Sequence, residues 1–233
     1  MIKEIIDNPS KYDCLMNEFD WIFVPVINPD GYEFTHKGQR MWRKTKSPPP
    51  DLTFRRVAEE SLRVERLDWL QNEPNLDDAI LEKLRQTLNA QRRSQKLSCT
   101  GTDANRNFGY QWMTGGSSRN PCSNTYAGPA PFSEPEAKAL SDHIMQNKDD
   151  IAMYVSLHSY SQMWLLPWGY TETKPDDYQD LYSLAKIGAD ALKAIYGTTY
   201  IIGSVPDLLY IASGTIRASN RLWKSVMYRV DIY

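Results

Sequence analysis

Apolar residues form three short continuous runs in this chain. The runs cover residues 21–27, 151–157 and 163–168, and their length and their β-branched and aromatic content predict strands, the first of them buried. Pro25 is the one residue of the first run that argues against a strand, because proline cannot donate a backbone hydrogen bond. Asn28 and the Pro-Asp-Gly that follows it predict a turn after this run.

Apolar residues at helical spacing alternate with these runs in the second half of the chain. Residues 181–196 predict a helix that ends at Gly197, with Gly188 inside it at a cost of roughly 1 kcal/mol relative to alanine. Ser133, followed three residues later by Glu136, has the form of a capping box and predicts a helix to about residue 147. Strands that alternate with helices indicate an α/β fold with a mixed, mostly parallel central sheet and helices on both faces.

The composition changes after a run of three prolines. Beyond the prolines, residues 54–70 and 76–88 place apolar residues at helical spacing and predict two amphipathic helices. The segment 48–97 carries nine basic and nine acidic residues and contains no catalytic pattern. We therefore interpret it as a charged helical insertion that divides a single α/β domain into residues 1–47 and 98–233.

Length and charge limit what this domain can do. With 233 residues, of which 41% are apolar, the chain is long enough to bury one sizeable core. The formal net charge is −2, so there is no electrostatic basis for binding nucleic acid. No apolar run approaches the ~18 residues needed to cross a bilayer, and residues 1–9 lack the apolar centre of a secretory signal. We expect neither nucleic acid nor a membrane as a partner.

The chain contains three cysteines, an odd number. Cys99 and Cys122 lie 23 residues apart, with glycine, serine, asparagine and proline between them, and a disulfide can close such a flexible loop. Cys14 has no obvious partner. The spacing alone is equally compatible with three free thiols.

Asn105 and Arg106 form the polar pair with the clearest chemical potential. An arginine offers two parallel charge-assisted hydrogen bonds to a carboxylate, and an asparagine amide adds a neutral donor. Arg43 follows Trp42, which can hold the arginine by stacking and direct it into a cleft. His158 ends a predicted strand, at the edge of an α/β sheet where ligands gather. Each also has an ordinary interpretation, as a solvated turn, a surface ion pair or a hydrogen-bonded core histidine.

These residues belong to a series of short motifs in a fixed order. The series runs Asn-Pro-Asp-Gly from Asn28, Trp-Arg-Lys from Trp42, Cys99, Asp-Ala-Asn-Arg-Asn from Asp103, Cys122, His-Ser-Tyr-Ser-Gln from His158, Pro-Trp-Gly-Tyr from Pro167 and Tyr-Ile-Ala-Ser-Gly from Tyr210. In this order the motifs resemble the zinc metallocarboxypeptidases of the pancreatic carboxypeptidase A and B type. The resemblance covers about residues 12–47 and 98–214 and leaves out the insertion and the last nineteen residues.

The resemblance implies a role in peptide cleavage for several positions. Enzymes of this family remove one residue from the C-terminus of a peptide. Asn105 and Arg106 match the residues that hold the terminal carboxylate, and Tyr210 matches the tyrosine that folds over it. Arg43 matches the arginine that polarises the scissile carbonyl and stabilises the oxyanion. Arg40 matches an auxiliary arginine along the substrate groove.

Further positions match residues that the family uses for metal binding and for its fold. His158 matches one of the zinc ligands, and Ser159 and Tyr160 match a pair, joined by a cis peptide bond, that lines the substrate path. Cys99 and Cys122 match a disulfide, which implies a secreted protein in an oxidising compartment. The partners implied are the C-termini of peptides or proteins, and we expect a monomer.

Two parts of the family pattern are absent from the sequence. A catalytic zinc needs three protein ligands, but none of the three histidines is followed by glutamate three residues later, so only His158 remains as a ligand. No glutamate occurs after Glu172, although the family takes its proton acceptor from a late strand. We therefore expect a truncated family member that keeps the fold and the substrate clamp but has lost zinc-dependent hydrolysis. The alternative is a non-catalytic binder of peptide C-terminal carboxylates.

Overall fold

The computed structural model describes residues 2–48, Glu82, Gln86, residues 99–215 and the strand 226–231. Its helices are α1 (Ile2–Asp7), α2 (Asp13–Glu18), α3 (Pro29–Lys37), α4 (Pro135–Gln146), α5 (Tyr178–Tyr196) and α6 (Val205–Leu208). Its strands are β1 (Met153–His158), β2 (Met163–Leu166), β3 (Ile201–Ser204) and β4 (Val226–Asp231), and short 3-10 turns cover Pro9–Tyr12 and Ala104–Arg106. The predicted helical insertion, 48–97, lies almost wholly outside the described residues, so its two helices stay a prediction.

The four strands form one sheet in the order β1-β4-β2-β3. β4 is parallel to β1, with His158 paired with Asp231, and antiparallel to β2, which is in turn parallel to β3. The sheet is therefore mixed, as the sequence predicts. The last nineteen residues, to which the sequence analysis assigns no element, contribute β4 between β1 and β2.

Helices cover both faces of β2 because its side chains alternate in direction. Met163 and Leu165 are buried on one face, where they pack with Val205 of α6. Leu166 is buried on the other face, where it packs against Leu181 of α5. The apolar run 163–168 thus forms a strand, as predicted, but the strand ends at Leu166.

The predicted strand at 21–27 is wrong. These residues adopt no regular secondary structure, and Trp21, Ile22 and Val24 are exposed. The prolyl nitrogen of Pro25 cannot donate to a neighbouring strand, and no described strand pairs with this segment.

The Asn-Pro-Asp-Gly motif begins a helix instead of forming a turn. The side chain of Asn28 accepts a hydrogen bond from the backbone N–H of Gly31 and caps α3, and Pro29 occupies the first helical position. The amide nitrogen of Asn28 donates to the backbone carbonyl of Lys44 at 3.0 Å, which connects α3 to the segment that carries Arg43. The predicted turn is therefore wrong, since residues 29–37 are helical.

The helix α4 covers the predicted range, but the predicted capping box does not form. Glu134, not Ser133, is the N-cap residue, and its side chain makes no capping bond. The hydroxyl of Ser133 donates to the carboxylate of Glu134 at 3.1 Å and accepts from the side-chain amide of Asn107 at 3.0 Å. Pro135 fixes the first turn of the helix, because its ring presets a helical φ angle.

The longest described helix, α5, confirms the prediction for 181–196 and starts three residues earlier. Gly197 ends it with a left-handed φ of 70°. Packing explains why residue 188 is a glycine, since a Cβ there would lie 2.5 Å from Cη2 of Trp164. Within the described part of the chain, no helix combines the length and the hydropathy that a membrane span requires.

We predict that Gly188→Ala destabilises the protein although alanine is the better helix former. The propensity gain is about 1 kcal/mol, whereas the clash with Trp164 costs about 1–3 kcal/mol. The midpoint of urea unfolding should therefore fall. Ser183→Ala, at an exposed position of the same helix, is the control and should leave the midpoint unchanged or raise it. A higher unfolding midpoint for Gly188→Ala than for wild type would contradict the prediction, because it would show that the Trp164 ring moves aside at little cost.

Candidate functional site

One cleft brings together five of the side chains that the sequence analysis selected. Arg43, Asn105, Arg106, His158 and Tyr210 all line it, although they come from distant parts of the chain. Five further residues complete the lining: Gly169, Val205, Leu209, Ala212 and Thr215. His158 is the last residue of β1, so the cleft lies at the carboxyl end of a parallel strand, where α/β proteins place their ligands.

Three other selected residues are not among those that line this cleft. Arg40, Ser159 and Tyr160 are exposed, Tyr160 to 69% of its surface. The Ser159–Tyr160 peptide bond is cis, as the family resemblance implies. The roles of Arg40, Ser159 and Tyr160 along a substrate path stay predictions.

Arg106 is buried to 98%, with only 2% of its surface exposed, and protein groups fix its guanidinium. Nε donates to the carbonyl of Gly116 at 2.9 Å, Nη1 to the carbonyl of Asn105 at 2.8 Å, and Nη2 to the hydroxyl of Tyr210 at 3.2 Å. A guanidinium has five N–H groups, and these bonds use three. One N–H on each terminal nitrogen is left for a planar acceptor with two oxygens, such as a carboxylate.

The carboxylate of Asp103 connects the two arginines of the cleft. One oxygen, Oδ2, accepts from Nε and Nη2 of Arg43 at 2.9 and 2.8 Å, and it lies 3.9 Å from Nη1 of Arg106. The other oxygen, Oδ1, accepts from the backbone N–H of Asn105 and caps the 3-10 turn Ala104–Arg106. Asp103 opens the Asp-Ala-Asn-Arg-Asn motif, but the local sequence does not show that its carboxylate reaches Arg43, sixty residues earlier.

The segment that ends in Thr215 is held against the turn by backbone hydrogen bonds. The carbonyl of Gly214 accepts from the N–H of Phe108 at 2.9 Å, and the N–H of Ser213 donates to the carbonyl of Gly115, also at 2.9 Å. Gly214 has a φ of +63°, and a Cβ on it would lie 2.3 Å from the carbonyl oxygen of Arg106. Only glycine permits this close approach, which keeps Tyr210 beside Arg106.

Lys44, next to Arg43, connects the segment after α3 to the loop that the disulfide closes. Its side chain is buried, and Nζ donates to the carbonyl of Pro121 at 2.6 Å. Cys99 and Cys122 form the disulfide that the resemblance implies. Burial lowers the pKa of Lys44 to about 8, with a smaller lowering from Lys46 and a partial compensation from Asp103.

The comparisons with known proteins agree with this geometry. A family model described as zinc carboxypeptidase matches residues 1–233. The chain belongs to this family. The match includes the segment 48–97 and the last nineteen residues, which the motif-based resemblance leaves out.

Individual relatives and a solved structure show the same likeness. Carboxypeptidase B of Astacus astacus is 35% identical over 214 residues, covering 92% of this chain and 56% of the relative. Carboxypeptidase O of Homo sapiens is 34% identical over 219 residues, covering 93% of this chain and 46% of the relative. The structure of bovine thrombin-activatable fibrinolysis inhibitor, in complex with a tick carboxypeptidase inhibitor, aligns with a TM-score of 0.70 and 28% identity over 97% of this chain and 63% of that chain. The chain spans about half the length of the curated relatives it matches.

The residues described here do not fit a catalytic zinc, although the family implies one. His158 lines the cleft, but His36 and His143 are exposed on α3 and α4. Across 2–48 and 99–215, no three His, Cys, Asp or Glu side chains form a group able to hold a metal ion. A single imidazole does not supply the three protein ligands of a catalytic zinc site.

Sequence reasoning missed the apolar and hydroxyl-bearing wall of the cleft. Val205 is the first residue of α6 and Leu209 directly follows this helix, whereas Ala212 and Thr215 belong to the segment after Tyr210. Gly169 was part of a family motif but received no role. Strand order gave no signal for them, because Gly169 follows β2 and α6 follows β3, and both strands run antiparallel to β1, whose carboxyl end carries His158.

We predict that Asp103→Asn destabilises the fold and loosens the fixed positions of the two arginines in the cleft. The amide keeps the shape of the carboxylate but loses the charge that two arginines share, so we expect a loss of about 1–3 kcal/mol of unfolding free energy. Urea unfolding measures it. Asp142→Asn, in an exposed ion pair with Lys138, is the control and should change the free energy by no more than about 0.5 kcal/mol. Equal effects of the two substitutions would contradict the role assigned to Asp103.

We predict that burial of Lys44 makes stability rise with pH above 8. Since its folded-state pKa is about 8 and the ordinary pKa of a lysine is 10.5, the unfolded chain binds more protons between these values, and raising the pH favours folding. The unfolding free energy of wild type relative to Lys44→Met should increase by up to about 3 kcal/mol between pH 7.5 and 10.5. Urea unfolding of both proteins across this pH range gives the difference between their unfolding free energies. The contributions of the other titratable groups cancel in this difference. A constant difference would contradict the prediction.

Proposed function

We propose that the cleft binds the free C-terminal residue of a peptide, the end of the substrate on which a carboxypeptidase acts. The observation that carries the proposal is the buried guanidinium of Arg106, which keeps one N–H on each terminal nitrogen beside Asn105 and Tyr210. A fixed, desolvated cation of this kind favours a carboxylate over a neutral group. Tyr210 lines the cleft with its side chain half exposed, so it can cover a bound ligand.

Arg43 extends this binding site toward the rest of the peptide. Its side chain is 43% exposed, whereas the carboxylate of Asp103 that holds it is 4% exposed. One edge of the guanidinium is therefore fixed, and its remaining N–H groups are available to a ligand. We propose that Arg43 hydrogen-bonds the carbonyl oxygen of the terminal peptide bond. A fixed cation there stabilises negative charge that develops on this oxygen.

We propose further that these 233 residues bind peptide C-termini without hydrolysing them. The support is the donor set, with one cleft histidine and no His-x-x-Glu sequence. C-terminal hydrolysis, the activity that the family implies, would require zinc ligands beyond His158. A zinc content of one per chain, together with turnover of an N-blocked dipeptide, would overturn this part of the proposal.

The disulfide supports a location of the protein outside the cytosol. Cys99 and Cys122 are joined, and such bonds persist in oxidising compartments. We propose a secreted, monomeric protein whose partners are the C-termini of peptides or proteins.

We predict that the chain binds an N-blocked dipeptide with a free C-terminus at least tenfold more tightly than the same dipeptide with a C-terminal amide, a ratio of about the size expected for a charge-assisted bond. Isothermal titration calorimetry without added zinc measures both affinities. Arg106→Ala should abolish the preference. Arg119→Ala removes an exposed arginine that does not line the cleft and should leave the preference unchanged.

Two further variants test the proposal if Arg106→Ala fails to fold. Tyr210→Phe removes the hydroxyl that accepts from Arg106, and Asn105→Ala removes the neutral donor. Both residues are at least partly exposed, so these variants should fold and bind the free acid less tightly. Equal affinity of wild type for acid and amide would refute the proposed function.

A further inference from the structure

A buried carboxylate lies at the start of α4, beside the segment that carries Arg43. Glu134 is 2% exposed and is not among the residues that line the cleft. Its Oε2 atom accepts a hydrogen bond from the hydroxyl of Thr45 at 2.6 Å, and its Oε1 atom accepts from the hydroxyl of Ser133 at 3.1 Å. Both donors are neutral, although a buried carboxylate is costly and is usually compensated by a cation. The contact with Thr45 is the one that leads toward the cleft.

Two hydrogen bonds join Thr45 to Thr102. The backbone N–H of Thr45 donates to the carbonyl of Thr102 at 2.8 Å, and the backbone N–H of Thr102 donates to the hydroxyl of Thr45 at 2.9 Å. Both threonines are buried. Arg43 lies two residues before Thr45, and Asp103 directly follows Thr102. The two bonds therefore align the segments that form the ion pair of Arg43 and Asp103.

Glu134 determines the direction in which the hydroxyl of Thr45 points. A carboxylate only accepts hydrogen bonds, so the hydroxyl donates its single proton to Glu134 and keeps its lone pairs for the N–H of Thr102. Without this carboxylate, the alternative acceptor is the hydroxyl of Ser47, 3.1 Å from the hydroxyl of Thr45. A hydroxyl that turns its proton toward Ser47 also turns its lone pairs, which weakens the bond from Thr102.

The connection of Glu134 to the turn of Arg106 does not involve the carboxylate. The backbone N–H of Glu134 donates to Oδ1 of Asn107 at 3.0 Å, and Asn107 directly follows Arg106. A substitution of the Glu134 side chain leaves this backbone bond in place. The carboxylate therefore affects the position of Arg43 and not that of Arg106.

We propose that Glu134 is a positioning residue for Arg43. It acts through the hydroxyl of Thr45 and the paired bonds between Thr45 and Thr102, and it keeps the guanidinium of Arg43 against Asp103. The consequence for ligands rests on the proposed binding of peptide C-termini, in which Arg43 bonds the carbonyl of the terminal peptide bond. The consequence for Arg43 in the free protein does not depend on that function.

The first test follows hydrogen exchange of the arginine Nε–H groups by NMR of the free, ¹⁵N-labelled protein. Glu134→Met removes both acceptor oxygens and keeps an unbranched side chain. We expect the Nε–H of Arg43, which bonds to Asp103, to exchange about tenfold faster than in wild type. The Nε–H of Arg106 bonds to the carbonyl of Gly116 and should keep its wild-type rate. Glu134→Gln keeps an oxygen acceptor for Thr45 and should retain slow exchange at Arg43.

A second pair of variants tests the same connection if Glu134→Met fails to fold. Thr45→Val keeps the shape of threonine without its hydroxyl and should also accelerate exchange at Arg43 about tenfold, whereas Thr45→Ser should not. Unchanged exchange at Arg43 in the folded variants would overturn the inference. Equal acceleration at Arg43 and Arg106, or failure of both Glu134→Met and Thr45→Val to fold, would also overturn it, because the network would then support the whole domain.

The second test measures ligand affinity and separates this inference from the proposed function. Calorimetry compares an N-blocked dipeptide with its alkene isostere, in which CH=CH replaces the terminal CO–NH. Wild type should bind the dipeptide about tenfold more tightly, and both Arg43→Ala and Glu134→Met should lose this ratio. The preference of Glu134→Met for a free acid over an amide, which depends on Arg106, should stay. Glu18→Met, at an exposed position of α2, is the control and should change neither ratio.

The outcomes distinguish the two proposals. If wild type prefers the dipeptide to its isostere, Arg43→Ala loses the preference and Glu134→Met keeps it, only the inference about Glu134 fails. If wild type binds both compounds equally, or Arg43→Ala keeps the preference, the role proposed for Arg43 in ligand binding fails together with the role of Glu134 in supporting it.

Discussion

The carboxylate of Asp103 is the constraint on which the cleft depends. It is almost fully buried, and it fixes Arg43 through one oxygen and the turn that carries Asn105 and Arg106 through the other. Two arginines side by side repel each other, and a buried guanidinium without a compensating charge is costly. By placing one negative charge between them, the fold keeps both cations at fixed positions, and a ligand carboxylate can then bind without moving either arginine.

The packing around this carboxylate brings distant parts of the chain to one place. The mixed sheet, with helices on both faces of β2, fixes the end of β1 and therefore His158. Close backbone contacts at Gly214 hold the segment of Tyr210 against the turn. The buried Lys44 and the disulfide between Cys99 and Cys122 secure the segment of Arg43. The cleft is thus the meeting point of a sheet edge and two loops.

The sequence predicted the parts of the molecule that local patterns encode. The helix before Gly197, two of the three apolar runs and the polar residues of the cleft follow from spacing and motif order. The strand at 21–27 failed because a strand needs a partner, and hydrophobic content alone does not supply one. The capping box failed because Ser133 hydrogen-bonds Glu134 and Asn107. The ion pair of Asp103 with Arg43, the place of Thr215 in the cleft wall and the packing of Gly188 against Trp164 bring distant residues together, which no local pattern reveals.

The central claim is that a preorganised guanidinium, positioned through Asp103, receives a peptide's terminal carboxylate. A crystal structure of the 233-residue chain with a bound N-blocked dipeptide tests this most directly. The account predicts both carboxylate oxygens at ~3 Å from the terminal nitrogens of Arg106, with Asn105 in contact and the pair of Arg43 and Asp103 unchanged. A dipeptide bound elsewhere, or an Arg106 that bonds only to the protein while the ligand occupies the cleft, would contradict it.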